Sequence, residues 1–231
     1  CFSAAQSPEV AKTLQACADD IGAPFHLAGR DFEISPQGDG GGCLTTPGAI
    51  TYFPRPGLAG PHQIDNAGLA LMALNSTRPC APDGIADAIW PGRVQKLDTG
   101  ALAEIWPYQP IWLDGAHNAH GATALATALR TIQDGKWNVI CGALNTRDPA
   151  EFLAPLAPLA GRIACLTIPD QDVSLSAKGM SDAAKYLGLA ASPAATLAAC
   201  FDLLDQTAPV IICGSLYLAG HILIQNKTLP V

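Results

Sequence analysis

Leu113-Asp114-Gly115-Ala116-His117-Asn118-Ala119-His120-Gly121-Ala122 follows the apolar pair Ile111-Trp112 and precedes the helix-compatible run from Thr123 to Leu129. A carboxylate, two glycines and two imidazoles are thus packed into one strand-to-helix turn. In an open α/β sheet, ligands bind in the crevice beyond the carboxyl ends of the strands. The N–H groups that open the following helix favour an anion there. This turn is therefore a candidate for holding part of a phosphorylated ligand.

Outward from it, strands are expected at 111–114, 137–142, 162–168 and 209–213, and helices at 118–133, 148–159, 178–187, 193–206 and 215–225. Such alternation predicts an α/β fold with a mainly parallel, Rossmann-like sheet covered on both faces. The continuously apolar Val210-Ile211-Ile212-Cys213 reads as a central strand. Val94 to Leu97 and Leu102 to Trp106 read as a hairpin around Thr99-Gly100. Before residue 90 the character changes. A helix over 8–21 starts at Ser7-Pro8-Glu9, with Ser as N-cap and Pro at the first position. A strand region follows over 25–34, then two short strands over 43–53 broken at Pro47-Gly48, a helix over 64–75, and turns at Pro79, Pro82 and Gly84. The boundary is expected near residues 90 to 93, which gives domains 1–89 and 90–231.

Hydrophobic residues make up 49% of the 231, enough for a substantial core, and the formal net charge is −7 with no Lys/Arg cluster. That argues against a nucleic-acid surface, which needs a concentrated basic patch. An anionic ligand would have to be met by local Arg or Lys. The eight cysteines form no C-x-x-C pair and show no zinc spacing, so buried free thiols in a cytoplasmic protein are expected. No segment reaches the roughly 18 unbroken apolar residues of a membrane span. Cys1 leads into Ser7-Pro8 with no basic segment and apolar stretch of the secretory kind, and the chain reads as the remainder of something longer.

Six residues are singled out for chemistry. Asp114 can accept from a ribose hydroxyl or orient a cation, or simply cap the next helix. His117 can donate to a phosphate, or be satisfied by backbone. Asp114, His117 and His120 lack a second nearby carboxylate, so no metal site is expected. Arg93, in Trp90-Pro91-Gly92-Arg93, offers a guanidinium fork for phosphate oxygens, or pairs with a surface carboxylate. Asn66 can read an adenine edge, or sit as a polar first-turn residue. Ser215, after Gly214, opens a second anion-friendly turn, with N-capping as the simpler account. Arg147, in Asn145-Thr146-Arg147-Asp148, is a candidate cation at the same sheet edge, and Asp148 a candidate N-cap. There is no G-x-x-x-x-G-K-[ST] loop, no G-x-G-x-x-G fingerprint and no G-x-S-x-G elbow.

Leu113-Asp114-Gly115-Ala116-His117-Asn118, Trp90-Pro91-Gly92-Arg93, His62-Gln63 with Asn66-Ala67, and Cys213-Gly214-Ser215-Leu216-Tyr217-Leu218-Ala219-Gly220 together resemble the bifunctional folylpolyglutamate synthase/dihydrofolate synthase family, relatives of the Mur ligases. Gly22-Ala23-Pro24 and Gly29-Arg30-Asp31-Phe32 fit the same pattern. The resemblance implies an enzyme that uses MgATP to convert a pterin-linked carboxylate to an acyl phosphate, which the amino group of L-glutamate then attacks. It implies an N-terminal P-loop ATPase domain and a C-terminal α/β domain with the active site between them. Residues 1–89 would be the tail of the former and 90–231 the whole of the latter. By motif match Asn66, Arg93 and Asp114 would contact ATP, His117 would be catalytic, and Arg147 and Ser215 would bind substrate. The magnesium ligands and P-loop would lie upstream of Cys1, so the 231 residues alone would be inactive. The resemblance also implies a cytoplasmic monomer with ATP, dihydropteroate or folate, and L-glutamate as small-molecule partners, and neither nucleic acid nor membrane. Two departures stand out: Ala119 replaces the usual Pro, and Thr146-Arg147-Asp148 replaces Asp-Lys-Asp. Two alternatives are a sister ligase acting on a peptidoglycan precursor and a non-catalytic α/β binding module.

Overall fold

A computed structural model describes residues 1–78 and 81–228; the expected turn at Pro79 and the thiol of Cys80 lie outside them. The chain separates into two compact units, Cys1–Ile89 and Trp90–Val231.

The first unit contains β1 (Phe2–Ser3), α1 (Pro8–Asp20), β2 (His26–Leu27), β3 (Glu33–Pro36), β4 (Gly42–Thr46), β5 (Ala49–Phe53) and α2 (Gln63–Asn75), then a 3-10 turn at Pro82–Ile85. β1 and β2 pair in parallel, and β3-β4-β5 form an antiparallel meander. Ser7 caps α1 by accepting from the Val10 N–H, with Pro8 in the first turn. The expected strand over 25–34 is instead two short pieces. Between them Asp31 accepts from the Leu27 N–H at 2.8 Å and pairs with Arg30 at 2.7 Å, which turns the chain. Phe32, Leu44, Phe53, Ala67 and Leu71 form this unit's core, one face of the meander covered by α2.

The second unit runs β6 (Gln95–Lys96), α3 (Ala101–Ile105), β7 (Ile111–Leu113), α4 (Ala119–Ile132), β8 (Trp137–Cys141), α5 (Pro149–Leu153), β9 (Ala160–Leu166), α6 (Ala177–Tyr186), β10 (Ala190–Ala194), α7 (Leu197–Phe201), β11 (Val210–Cys213) and α8 (Leu216–Asn226). Its sheet has the order β10-β9-β8-β11-β7-β6, parallel throughout except for β6. The last strand in sequence is thus inserted between β8 and β7, and all four residues of β11 are buried. One face packs Ile140, Ala164, Val210 and Ile212 against α3, α7 and α8. The alternate residues, Val139, Cys141, Ile163 and Ile211, are left for the other face, where α4, α5 and α6 lie side by side.

Three further sequence expectations are corrected in this unit. Residues 94–97 and 102–106 do not form a hairpin: β6 pairs with β7, and Gly100, at φ 99°, leads into helix α3. The expected helix over 193–206 is shortened to α7, because Ala190–Ala194 joins the sheet as an edge strand on β9. The helix expected over 148–159 is regular only over α5. Of the thiols, Cys43, Cys141, Cys165, Cys200 and Cys213 are buried and free, whereas Cys1 and Cys17 are exposed. Among the described residues no helix is long and apolar enough to cross a membrane.

Candidate functional site

β7, β11 and β8 are neighbours and run in the same direction, so the turns that leave them meet at one edge. Each turn opens a helix through a side-chain cap of the kind that satisfies orphan N–H groups. Asn118 accepts from the Gly121 N–H at 2.7 Å, Asp148 from Ala150 at 2.8 Å, and Ser215 from Tyr217 at 3.1 Å.

The turns also interlock. The Gly214 N–H donates to the Ala116 carbonyl at 2.9 Å. Gly214 has φ 116°, and a Cβ there would stand 2.6 Å from the Gly142 carbonyl oxygen. Only glycine allows both the conformation and the approach. Gly115 is buried, and a Cβ on it would strike the Leu216 side chain.

Between these turns lies a pocket of about 210 Å³. His117, Arg147 and Ser215 all line it, with Leu144, Phe152 and Tyr217 as apolar or aromatic walls. The structure therefore brings together three of the six residues singled out from sequence. Arg147 is exposed and reaches no carboxylate among the described ion pairs. Ser215 is 3% exposed and held by its cap. His117 is exposed, and its Nδ1 lies 3.0 Å from the Gly115 carbonyl. A carbonyl can only accept, so Nδ1 of the neutral ring carries the proton and Nε2 is left as an acceptor.

Arg93 and Asp114 form a second pair in the same unit. The Val94 N–H donates to Asp114 Oδ2 at 2.9 Å, and the Gly115 N–H donates to the Gly92 carbonyl at 2.8 Å. Arg93 is therefore bracketed by two bonds to the Asp114-Gly115 turn. Asp114 is 6% exposed, and its Oδ1 also accepts from Ala116 N–H at 2.7 Å. Asn66 belongs to the other unit, on α2, where its amide donates to Gln63 Oε1 at 3.0 Å.

Sequence reading did not find the apolar walls at Leu144, Phe152 and Tyr217. The turn after β8 carried a legible signal in Asp148-Pro149, but nothing local shows which side chains a pocket collects. Among the described residues no three His, Cys, Asp or Glu side chains lie close enough to hold a metal ion. Asp114, His117 and His120 form no such group.

The buried thiols of this unit are chemically quiet. Cys213, Cys141 and Cys165 are register partners on adjacent strands, and the Cys141 and Cys165 sulfurs lie 3.8 Å apart. The Cys165 contact and burial raise Cys141 well above its ordinary value. Burial pushes Cys200 up to about 12, and burial followed by the Asp114 charge raises Cys213.

A parallel α/β layer with helices on both faces and adjacent turns around one crevice defines a doubly wound domain. Residues 93–216 match the family model described as Mur ligase, glutamate ligase domain, over more than half of the chain, and the chain belongs to that family. It is 30% identical over 175 residues to the folylpolyglutamate synthase of Lacticaseibacillus casei, covering 71% of this chain and 38% of that protein. It is 29% identical over 147 residues to the UDP-N-acetylmuramoyl-L-alanyl-D-glutamate--2,6-diaminopimelate ligase of Streptomyces avermitilis, covering 62% and 28%. The fold is shared with Mycobacterium tuberculosis folylpolyglutamate synthase complexed with ADP, at TM-score 0.80 and 22% identity, covering all of this chain and 56% of that one. The chain therefore spans between about a quarter and just over half of the length of these proteins.

Proposed function

We propose that this chain supplies the glutamate-binding part of an ATP-dependent amide ligase that joins L-glutamate to dihydropteroate or to folate. The observation that carries this reading is the pocket where His117, Arg147 and Ser215 converge, in a chain of the glutamate ligase domain family. In this reading residues 1–89 are the last part of an ATP-binding domain and 90–231 the C-terminal domain.

The chemistry follows from the groups. A carboxylate of the pterin substrate takes the γ-phosphoryl group of ATP, giving an acyl phosphate and ADP. The amino nitrogen of glutamate attacks its carbonyl carbon, the C–N bond forms, and phosphate leaves. The amine must lose a proton, and His117 Nε2 is the acceptor at the pocket's rim. The Arg147 fork binds a glutamate carboxylate through paired N–H donors. The Ser215 hydroxyl, already accepting from Tyr217, has one proton to donate outward. Arg93 takes the nucleotide phosphates, and Asp114 serves the nucleotide part of the site. The protein works as a cytoplasmic monomer on small molecules.

The test is titration of the ¹⁵N-labelled chain with L-glutamate. Shifts should cluster at His117, Thr146 to Asp148, and Ser215 to Tyr217. Arg147→Ala should weaken binding about tenfold or more, the scale of a lost charge-assisted contact. Shifts confined to other regions would remove the glutamate reading. The Streptomyces relative keeps one alternative alive, a ligase for a peptidoglycan precursor. A substrate panel on the complete enzyme separates the two.

A further inference from the structure

Val94 has φ 45°, and it lies directly after Arg93. A β-branched residue almost never adopts the left-handed region. Something must hold it there. The Val94 N–H donates to Asp114 Oδ2 at 2.9 Å across twenty residues of sequence, and the Val94 side chain is buried at 4% exposure. On the other side of Arg93, Gly92 accepts from the Gly115 N–H at 2.8 Å and donates to Gln95 Oε1 at 2.9 Å. Asp114 is itself immobilised, because its Oδ1 accepts from Ala116 N–H.

We infer that Asp114 is a positioning residue: its carboxylate holds the Val94 peptide in the left-handed conformation and so fixes the backbone from which Arg93 projects. The inference rests on the reading of Arg93 as the phosphate-facing cation, and it deepens that reading. A carboxylate suits the task because both of its oxygens accept, one for each N–H. An amide of the same shape has only one acceptor, so whichever way it turns, an N–H group faces its NH₂.

An amide could still turn its one oxygen to the Val94 N–H, so the decisive substitution is Asp114→Ala, which removes both acceptors. The substitution Val94→Gly lets the left-handed backbone persist without the clamp, since glycine has no Cβ to oppose it. Crystal structures of the full chain should show Val94 at negative φ in Asp114→Ala, with the Arg93 backbone displaced. In the double variant Asp114→Ala/Val94→Gly the backbone should return. ADP affinity, read by calorimetry, should fall about tenfold in Asp114→Ala and recover to within about threefold of Val94→Gly in the double variant.

An Arg93-Val94 backbone unchanged in Asp114→Ala would overturn the inference. So would a double variant with restored backbone and unrestored affinity, because Asp114 would then be touching the nucleotide. If the unmodified chain bound no ADP, the nucleotide reading would fail alone, and the backbone comparison would still decide the clamp. If Asp114→Ala did not fold, amide exchange in the unmodified chain decides instead. The Val94 amide should exchange at least about a hundredfold more slowly than an open loop amide, and exchange at the loop rate would overturn the clamp.

Discussion

At the scale of single residues, the fate of each polar group depends on whether its partner is local or distant. Ser7, Asp148 and Ser215 each cap the helix they precede, and all three are legible in the sequence because an N-cap bonds two or three residues ahead. Val94 is the opposite case: its conformation is set by a carboxylate twenty residues on, and no local pattern announces that. His117 and Arg147 were legible as residue types at a sheet edge, but their convergence depends on β11 entering between β8 and β7.

The buried thiols give a pH prediction at the same scale. The folded chain keeps Cys141, Cys200 and Cys213 protonated beyond the ordinary thiol range. A group whose folded pKa is raised leaves stability intact below its unfolded value, near 9, and loses it as the pH climbs toward the folded value. Urea midpoints should therefore be flat from pH 7 to near 9 and fall above it, by at most about 1.4 kcal/mol per pH unit for each thiol. Cys200→Ala should make the fall shallower above pH 9, and an unchanged slope would remove Cys200 from the account.

At the scale of elements, the strongest periodicities were readable and the weakest were not. The runs that became β7 and β11 are continuously apolar, and those that became β8 and β9 are broken only at Asn138 and Arg162, as a sheet covered on both faces requires. β10 reads Ala-Ala-Ser-Pro-Ala, a composition poor in β-formers, and forms only because β9 offers an open edge. Pro193 is tolerated there because an edge strand need not use every N–H. Two tertiary ties hold the elements at the ends of the layer. Asn226, fully buried at the end of α8, accepts from the Leu102 N–H at 2.9 Å and donates to the Thr99 carbonyl at 2.9 Å. Asn226→Ala should cost about 2–3 kcal/mol in a denaturation experiment, because two buried backbone groups lose their partners. At the other end, Gly214→Ala forces a Cβ toward the Gly142 carbonyl at positive φ. It should destabilise by about 2–4 kcal/mol and, at temperatures where the variant stays folded, weaken L-glutamate binding, since the turn it distorts carries Ser215. Stability lost with binding intact would separate the turn from the pocket.

At the scale of the whole molecule, each compact unit has its own apolar core, and all the pocket's lining residues lie between 117 and 217. In the proposed reading the glutamate step and the phosphoryl step therefore make different demands on this chain. A polypeptide of residues 90–231 should bind L-glutamate within about threefold of the full chain, because it retains every wall of the pocket; a larger loss would mean that residues 1–89 contribute to it. Phosphoryl transfer needs more. It needs a cradle of backbone N–H groups and a cation on the β- and γ-phosphates, and the 231 residues contain no glycine loop ending in Lys-Ser or Lys-Thr. Arg93 can neutralise phosphate charge but cannot by itself enclose a triphosphate. The full chain, supplied with ATP, L-glutamate and either dihydropteroate or folate, should release phosphate no faster than the protein-free control. Release that required all three substrates and disappeared with Arg93→Ala would show that these residues suffice, and the division of labour proposed for the two steps would be lost.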